Sequence, residues 1–162
     1  MREYDATDGT TIGVFASGGG LAAPSGLAFG PGGDLYVSST VTNDVKRFDG
    51  ATGMFEGVFA SGGGLSDGRG IAFGLDGNLY VASSNSHEII RYNGIDGSIL
   101  GAFVPAASGG LGGPLGIAFV PEPPTLRLCA LGALLVLVCR RCRANHLRRA
   151  IAIGAMAQRP SA

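Results

Sequence analysis

The chain repeats itself with a period near 44 residues. The segment "SGLAFGPGGDLYVSS" (25–39) recurs as "RGIAFGLDGNLYVASS" (69–84), and "LGIAFV" (115–120) begins a third copy. One glycine opens the motif each time, at intervals of 44 and then 46 residues: Gly26, Gly70 and Gly116. Three copies in register do not arise by chance, and a fixed period of this length indicates a repeat architecture.

Each unit reads as four short strands joined by tight turns. In the second unit the strands are predicted at "GIAF" (70–73), "LYVAS" (79–83), "EIIRYN" (88–93) and "SILGAFV" (98–104). The first turn holds Asp-Gly and Gly-Asn pairs, which accept a positive φ at low cost. Four strands in about 40 to 50 residues are typical of one β-propeller blade.

The motif resembles the NHL-type propeller repeat, which streptogramin lyase and the gluconolactonase-like propellers share in a looser form. The matching pattern, G-[IL]-A-F-x-x-x-G-x-L-Y-V, stands at Gly26–Val37 and at Gly70–Val81, and the resemblance covers about residues 3–120. It implies a β-propeller fold for this part of the chain, and it selects no activity within the group.

The number of copies limits the architecture. In chain order the sequence holds strands three and four of one unit, two whole units, and a first strand whose second strand is missing. That makes roughly eleven strands, whereas a closed propeller has about four to eight blades of four strands each. The predicted fold class is therefore all-β over residues 1–119, a partial β-propeller of two to three four-stranded antiparallel blades. This partial propeller is not closed unless several copies assemble.

A different kind of sequence follows, "VPEPPTLRLCALGALLVLVCRRCR" at 120–143. It predicts a hydrophobic transmembrane α-helix over about 125–139, about 22 Å long against a hydrocarbon core of about 30 Å. Prolines stop the helix upstream, and arginines follow it, as in the cytoplasmic flank of a membrane anchor. The residues of the predicted anchor and its basic flank are Leu126, Leu128, Leu131, Leu134, Leu135, Val136, Leu137, Val138, Arg140, Arg141 and Arg143.

The order of these parts resembles the PEP-CTERM sorting signal of Gram-negative bacteria, in which a Val-Pro-Glu-Pro element precedes a hydrophobic helix and an arginine cluster. The matching element here is Val120, Pro121, Glu122 and Pro123. The resemblance implies an exosortase, a membrane cysteine transpeptidase, as partner, with cleavage near this element. It implies a location first at the bacterial inner membrane and then in the cell envelope or extracellular matrix.

Both ends of the sequence raise further expectations. The segment "MREYDATDGTTIGVF" (1–15) has no apolar stretch of a secretory signal and begins within a repeat unit. We therefore expect an upstream portion that carries the signal and more blades. Residues 144–162 form a basic C-terminal extension, for which a shifted stop codon or a second short amphipathic segment would each account.

The charge of the chain also changes sign near residue 120. Residues 1–120 carry five Lys and Arg against eleven Asp and Glu, a net charge of −6, whereas residues 121–162 carry seven Arg against one Glu, a net charge of +6. Because arginines directly follow the apolar stretch, anionic lipid headgroups are the expected partner of the tail. Nucleic acid is excluded as a partner, since no aromatic residues interleave with the basic cluster and the body is acidic.

The sequence contains no nucleophile elbow and no phosphate-binding loop. Cys139, Cys142 and His146 have the spacing of half a zinc site without a second ligand pair, so neither a metal nor a cofactor is predicted. The candidate binding rim lies in the loops between second and third strands and consists of Asn43, Asp44, Asn85 and His87. Two of these, Asp44 and Asn85, are also conceivable ligands of a gluconolactonase-like divalent ion.

The leading functional expectation is an exported, envelope-anchored, non-enzymatic propeller protein whose loops bind a protein or an exopolysaccharide. Two alternatives stay open at this point. One is a fragment of a metal-dependent propeller lactonase or lyase, and the other is an inactive truncated gene product.

Overall fold

Twelve β-strands and one short 3-10 turn make up the part of the chain that the computed structural model describes, residues 1–120 and 150–154. The strands are β1 Arg2–Tyr4, β2 Thr11–Val14, β3 Pro24–Phe29, β4 Leu35–Ser39, β5 Asp44–Phe48, β6 Phe55–Ser61, β7 Gly68–Phe73, β8 Leu79–Ser83, β9 Glu88–Tyr92, β10 Ile99–Val104, β11 Pro114–Phe119 and β12 Ala150–Gly154. The 3-10 turn is Ser108–Gly110.

The strands form two whole antiparallel blades and two half-blades. Strands β3-β4-β5-β6 make the first blade and β7-β8-β9-β10 the second, each in chain order. Strands β1-β2 form the N-terminal half-blade, and β11-β12 form the C-terminal half-blade. The prediction of an all-β fold over residues 1–119, built from antiparallel propeller-like blades, is confirmed.

One strand of the structure is not predicted by the sequence, which offers no second strand beside β11. In the structure β12 pairs antiparallel with β11, with Phe119 opposite Ala150 and Ile117 opposite Ala152. This is the register of the second blade, where Phe73 lies opposite Leu79. A segment from the basic C-terminal extension therefore occupies the second-strand position of a third blade.

The predicted membrane anchor at 125–139 lies outside the described residues, as do Pro121, Glu122, Pro123 and the arginines of the basic flank. Within residues 1–120 and 150–154, no helix has the length and apolar character needed to cross a membrane.

The hydrophobic core lies between the blades rather than within one sheet. The second strand of each blade is buried along its whole length, because its alternating side chains face both neighbouring blades. Leu79 and Val81 pack toward the first blade, whereas Tyr80 packs toward β11. An isolated blade would expose these apolar faces to solvent, so packing against the neighbouring blades stabilises each blade.

Repeated aromatic contacts fix the spacing between blades. The Tyr36 ring meets Phe59 and Phe73 edge to face, with both pairs of ring centroids 4.8 Å apart. In the next repeat Tyr80 meets Phe103 and Phe119 at 4.8 and 4.9 Å. Edge-to-face packing at these distances is favourable beyond the area that it buries. One tyrosine per unit thus joins its own blade to the next.

Glycine in the first strand lets consecutive blades approach backbone to backbone. Strand β3 lies beside β7, and β7 lies beside β11. A Cβ atom on Gly70 would stand 2.6 Å from the Cα atom of Gly116 and 2.8 Å from the carbonyl oxygen of Leu115, and one on Gly26 would collide with Arg69 and Gly70. Side chains essentially never approach backbone so closely, so the repeated motif requires glycine here.

We expect Gly70→Ala to lower the free energy of unfolding by about 2 kcal/mol, because the added methyl group forces two packed backbones apart. Urea denaturation followed by circular dichroism measures the effect. The matched control is Gly13→Ala, since Gly13 is also in a strand with ordinary φ but has no atom within 4 Å of a built Cβ. Equal losses in the two variants would contradict the backbone contact.

Tyr92 gives the core a pH dependence. Its side chain is fully buried, and its hydroxyl donates a 2.8 Å hydrogen bond to the carbonyl oxygen of Gly62. Burial raises the pKa of Tyr92 to about 12, from an ordinary value of about 10. The folded state therefore keeps the phenol neutral at a pH where the unfolded chain has already released the proton.

Because its folded pKa is the higher one, Tyr92 contributes stability that is complete below about pH 10 and is lost as pH rises toward about 12. The loss is about 2 to 3 kcal/mol. We expect Tyr92→Phe to flatten this part of a stability-against-pH curve, and Phe48 shows that phenylalanine fits the equivalent position of the first blade. If the stability of the wild type and of Tyr92→Phe changed with pH in the same way between pH 10 and 12, Tyr92 would not be the source of this pH dependence.

Candidate functional site

The predicted binding rim lies at the end of the blades where the second strand turns into the third. We use the term upper rim for the turns 40–44 and 84–88 together with the loops 62–67 and 105–113, which lead into the next blade. Seven of the eight residues at 40–43 and 84–87 carry a hydroxyl, amide or imidazole group, and none is an acidic residue, a lysine or an arginine. These eight positions of the upper rim therefore present mainly short polar groups.

Asn43 and His87 occupy equivalent positions and perform the same task. Both have a left-handed backbone, with φ of 53° and 59°. The Oδ1 atom of Asn43 accepts a 2.8 Å hydrogen bond from the backbone N–H of Asp67, and Nδ1 of His87 accepts one of 2.8 Å from the N–H of Gly113. Each side chain thus ties its turn to the loop that enters the following blade.

Asp44 points inward and is not a free ligand. Its Oδ2 atom forms a 2.9 Å ion pair with Nζ of the buried Lys46, and its Oδ1 atom accepts a 2.7 Å hydrogen bond from the hydroxyl of Thr42. Both carboxylate oxygens therefore already have partners. A buried charge needs such pairing, so this network is a structural part of the turn.

Asn85 is exposed, as are Asn43 and His87 of the predicted set, whereas Asp44 is buried. The backbone N–H of Asn85 donates a 3.2 Å hydrogen bond to the carbonyl oxygen of Ser66, which holds the turn against the connecting loop. Its side chain faces solvent, as do those of Val41 and His87. The exposed surface of the upper rim thus includes three residues predicted from the sequence and others that were not, among them Val41 and Thr42.

Two buried serines position the rim and were missed by the sequence analysis. The Ser39 hydroxyl lies 2.9 Å from the N–H of Ala22 and 3.0 Å from its carbonyl oxygen. Ser83 makes the same pair of contacts with Ser66 in the next unit, at 2.9 and 3.2 Å. A serine at the end of the buried "LYVSS" and "LYVAS" strands was the available signal, because a buried hydroxyl requires a partner.

The opposite end of the first blade carries an acidic cluster. Carboxylate oxygens of Asp34, Asp49 and Glu56 lie within 4.8 Å of one another. The Nε atom of Arg47 is 2.5 Å from Glu56 and 3.9 Å from Asp34, so a guanidinium group already supplies positive charge there. In the second blade the equivalent residues are Asn78, Asn93 and Leu100, so the cluster is an ion-pair network of one blade.

Known structures identify the fold of this arrangement. Three that the chain resembles are a luciferin-regenerating enzyme (18% identity, TM-score 0.52, covering 62% of this chain and 34% of that one), hydrazine synthase of Kuenenia stuttgartiensis (21%, 0.52, 64% and 28%) and virginiamycin B lyase of Staphylococcus aureus (22%, 0.51, 68% and 36%). The fold is that of a β-propeller.

The likeness extends to the fold alone, since all three identities are below 25%. The chain spans about a third of the length of these proteins. No protein-family model matches the chain, and no curated protein matches its sequence.

We expect His87→Ala to destabilise the protein by about 1 kcal/mol, because the Gly113 N–H loses its acceptor. His87→Asn should retain most of the stability, since Asn43 makes the same bond in the preceding repeat. Hydrogen exchange of the Gly113 amide, followed by NMR, measures the bond directly. Equal protection of this amide in the alanine and asparagine variants would contradict the proposed tie.

Proposed function

We propose that this chain is a non-enzymatic propeller-type binding protein whose upper rim contacts polysaccharide and whose tail directs it to the bacterial envelope. The observation that carries the binding part is the repetition of one rigid turn in adjacent blades, fixed by Asn43 and His87. Binding is favoured when the contacting loops are already ordered, because less conformational entropy is lost.

The chemistry of the rim favours a neutral polysaccharide. Hydroxyl and amide groups both donate and accept hydrogen bonds, as sugar hydroxyls do. The turns 40–43 and 84–87 carry no charged side chain, while residues 1–120 have a net charge of −6. An anionic polymer would be repelled by this body, so a neutral exopolysaccharide is the preferred ligand over an acidic one.

Affinity electrophoresis in gels containing dextran tests the binding proposal, with alginate as the anionic comparison. We expect dextran to retard the chain and Val41→Asp to weaken that retardation about tenfold. Ile95→Asp is the matched control, because Ile95 is also a highly exposed aliphatic residue but lies in the β9–β10 turn at the opposite end of the blade. No retardation by dextran, or equal loss in both variants, would contradict this site.

The envelope part of the proposal is supported by the sequence of 120–143 alone. Its test expresses the full chain behind a secretory signal in a Gram-negative host that has an exosortase. We expect a shortened, envelope-associated product, and Arg140→Glu, Arg141→Glu and Arg143→Glu together should abolish the shortening. The matched control changes Arg148 and Arg149 to glutamate. Unchanged processing in the first variant would count against the sorting signal.

The non-enzymatic part has its own check. The purified chain is incubated with a divalent metal and a panel of lactones, and hydrolysis is followed by the fall in pH. We expect no turnover above that of the metal alone. Clear hydrolysis by the chain would overturn the proposal in favour of a metal-dependent propeller lactonase.

A further inference from the structure

The two half-blades leave complementary surfaces open. Among residues 1–120 and 150–154, β1 pairs only with β2, so its other edge is free, and β12 pairs only with β11. By position in the repeat, β1 and β2 are strands three and four of a blade, and β11 and β12 are strands one and two. Together the half-blades contain each strand of one blade once.

The glycine stack also stops at an open face. Gly26 is covered by β7 and Gly70 by β11, in both cases through a backbone contact that leaves no room for a Cβ. Gly116 stands at the same position of the repeat, yet nothing lies within 4 Å of its built Cβ. By continuity of the stack, the element that fits Gly116 is another first strand of this repeat.

Strand β3 offers the matching face. Leu27 is 60% exposed, whereas its counterpart in the second blade, Ile71, is 7% exposed beneath the first blade. Phe29 is also exposed, and with Leu27 and Leu35 it lines an apolar pocket bordered by Met1 and Phe15. The pocket marks the place where strands one and two of a preceding blade would pack, which β1 and β2 do not supply.

The described strands of one chain do not bring these surfaces together. They make three blade equivalents, and closed propellers have about four to eight blades. The structure keeps β1-β2 and β11-β12 as separate sheets accordingly. Two chains joined head to tail contribute six blade equivalents, which falls within that range, and the same contact then forms twice around a closed ring.

We infer that two copies of this chain form a six-bladed ring, in which β11 and β12 of one copy complete a blade with β1 and β2 of its partner. The register follows from the second blade, where Val81 lies opposite Ile90 and Leu79 opposite Tyr92. The equivalent pairs across the copies are Ala152 with Arg2 and Ala150 with Tyr4. Gly116 of one copy is then covered by the backbone of β3 around Gly26 of the other copy. This inference does not rest on the proposed function.

Light scattering coupled to size exclusion, on the full chain in a mild detergent, tests the assembly. We expect a protein mass twice the 16.3 kDa of one chain. Gly116→Val and Leu27→Asp should each weaken the dimer about 30-fold or more while leaving the single-chain fold intact, because both positions are open within one chain. Gly13→Val and Leu75→Asp are the matched controls, and both should remain dimeric.

Cross-linking tests the shared blade itself. Two chains are mixed, one with Arg2→Cys and one with Ala152→Cys, with Cys129, Cys139 and Cys142 changed to serine in both. Opposed residues of paired strands lie within disulfide reach, so a covalent dimer should form under mild oxidation. A monomer, an open-ended polymer, a dimer that survives Gly116→Val, or a dimer without this cross-link would each overturn the inference.

Discussion

The close approach of first strands is the contact on which the rest of the structure depends. At Gly26 and Gly70 the backbone of one blade lies directly against that of the next, and no side chain fits between them. This sets how near the sheets come, and with it the packing of Tyr36 and Tyr80 against the phenylalanines of the following blade. A core that lies between sheets exists only because the sheets stand this close.

The upper rim inherits its order from the same stacking. Asn43 and His87 do not hold their own turns by local bonds; each reaches the loop of the next blade, so the position of one turn depends on the neighbouring repeat. Asp44 and Lys46 form a buried ion pair at the start of β5, where each charge needs its partner because little solvent reaches it. The geometry of the upper rim therefore depends on the packing between blades.

The sequence predicted the repeat, the strands and the turns well, because these depend on local chemistry. "LYVAS" at 79–83 is β8 residue for residue, and the Asp-Gly-Asn turn lies where it was expected. What the sequence could not predict depends on neighbours. The sequence pattern places Asp44 on the rim but does not show that Lys46 is buried beside it. It predicts no second strand for β11, because β12 begins 31 residues beyond the end of β11. Apart from Val120, the sorting signal lies outside the described residues and stays a prediction.

The pairing of β12 with β11 has a consequence for the fate of the chain. A segment at 125–139 that crossed a bilayer once would leave Phe119 and Ala150 on opposite sides of it, where they cannot be hydrogen-bonded neighbours. A single bilayer crossing at 125–139 and the pairing of β12 with β11 therefore cannot occur in the same molecule at the same time. If the predicted anchor inserts, residues 150–154 cannot serve as the second strand of the third blade.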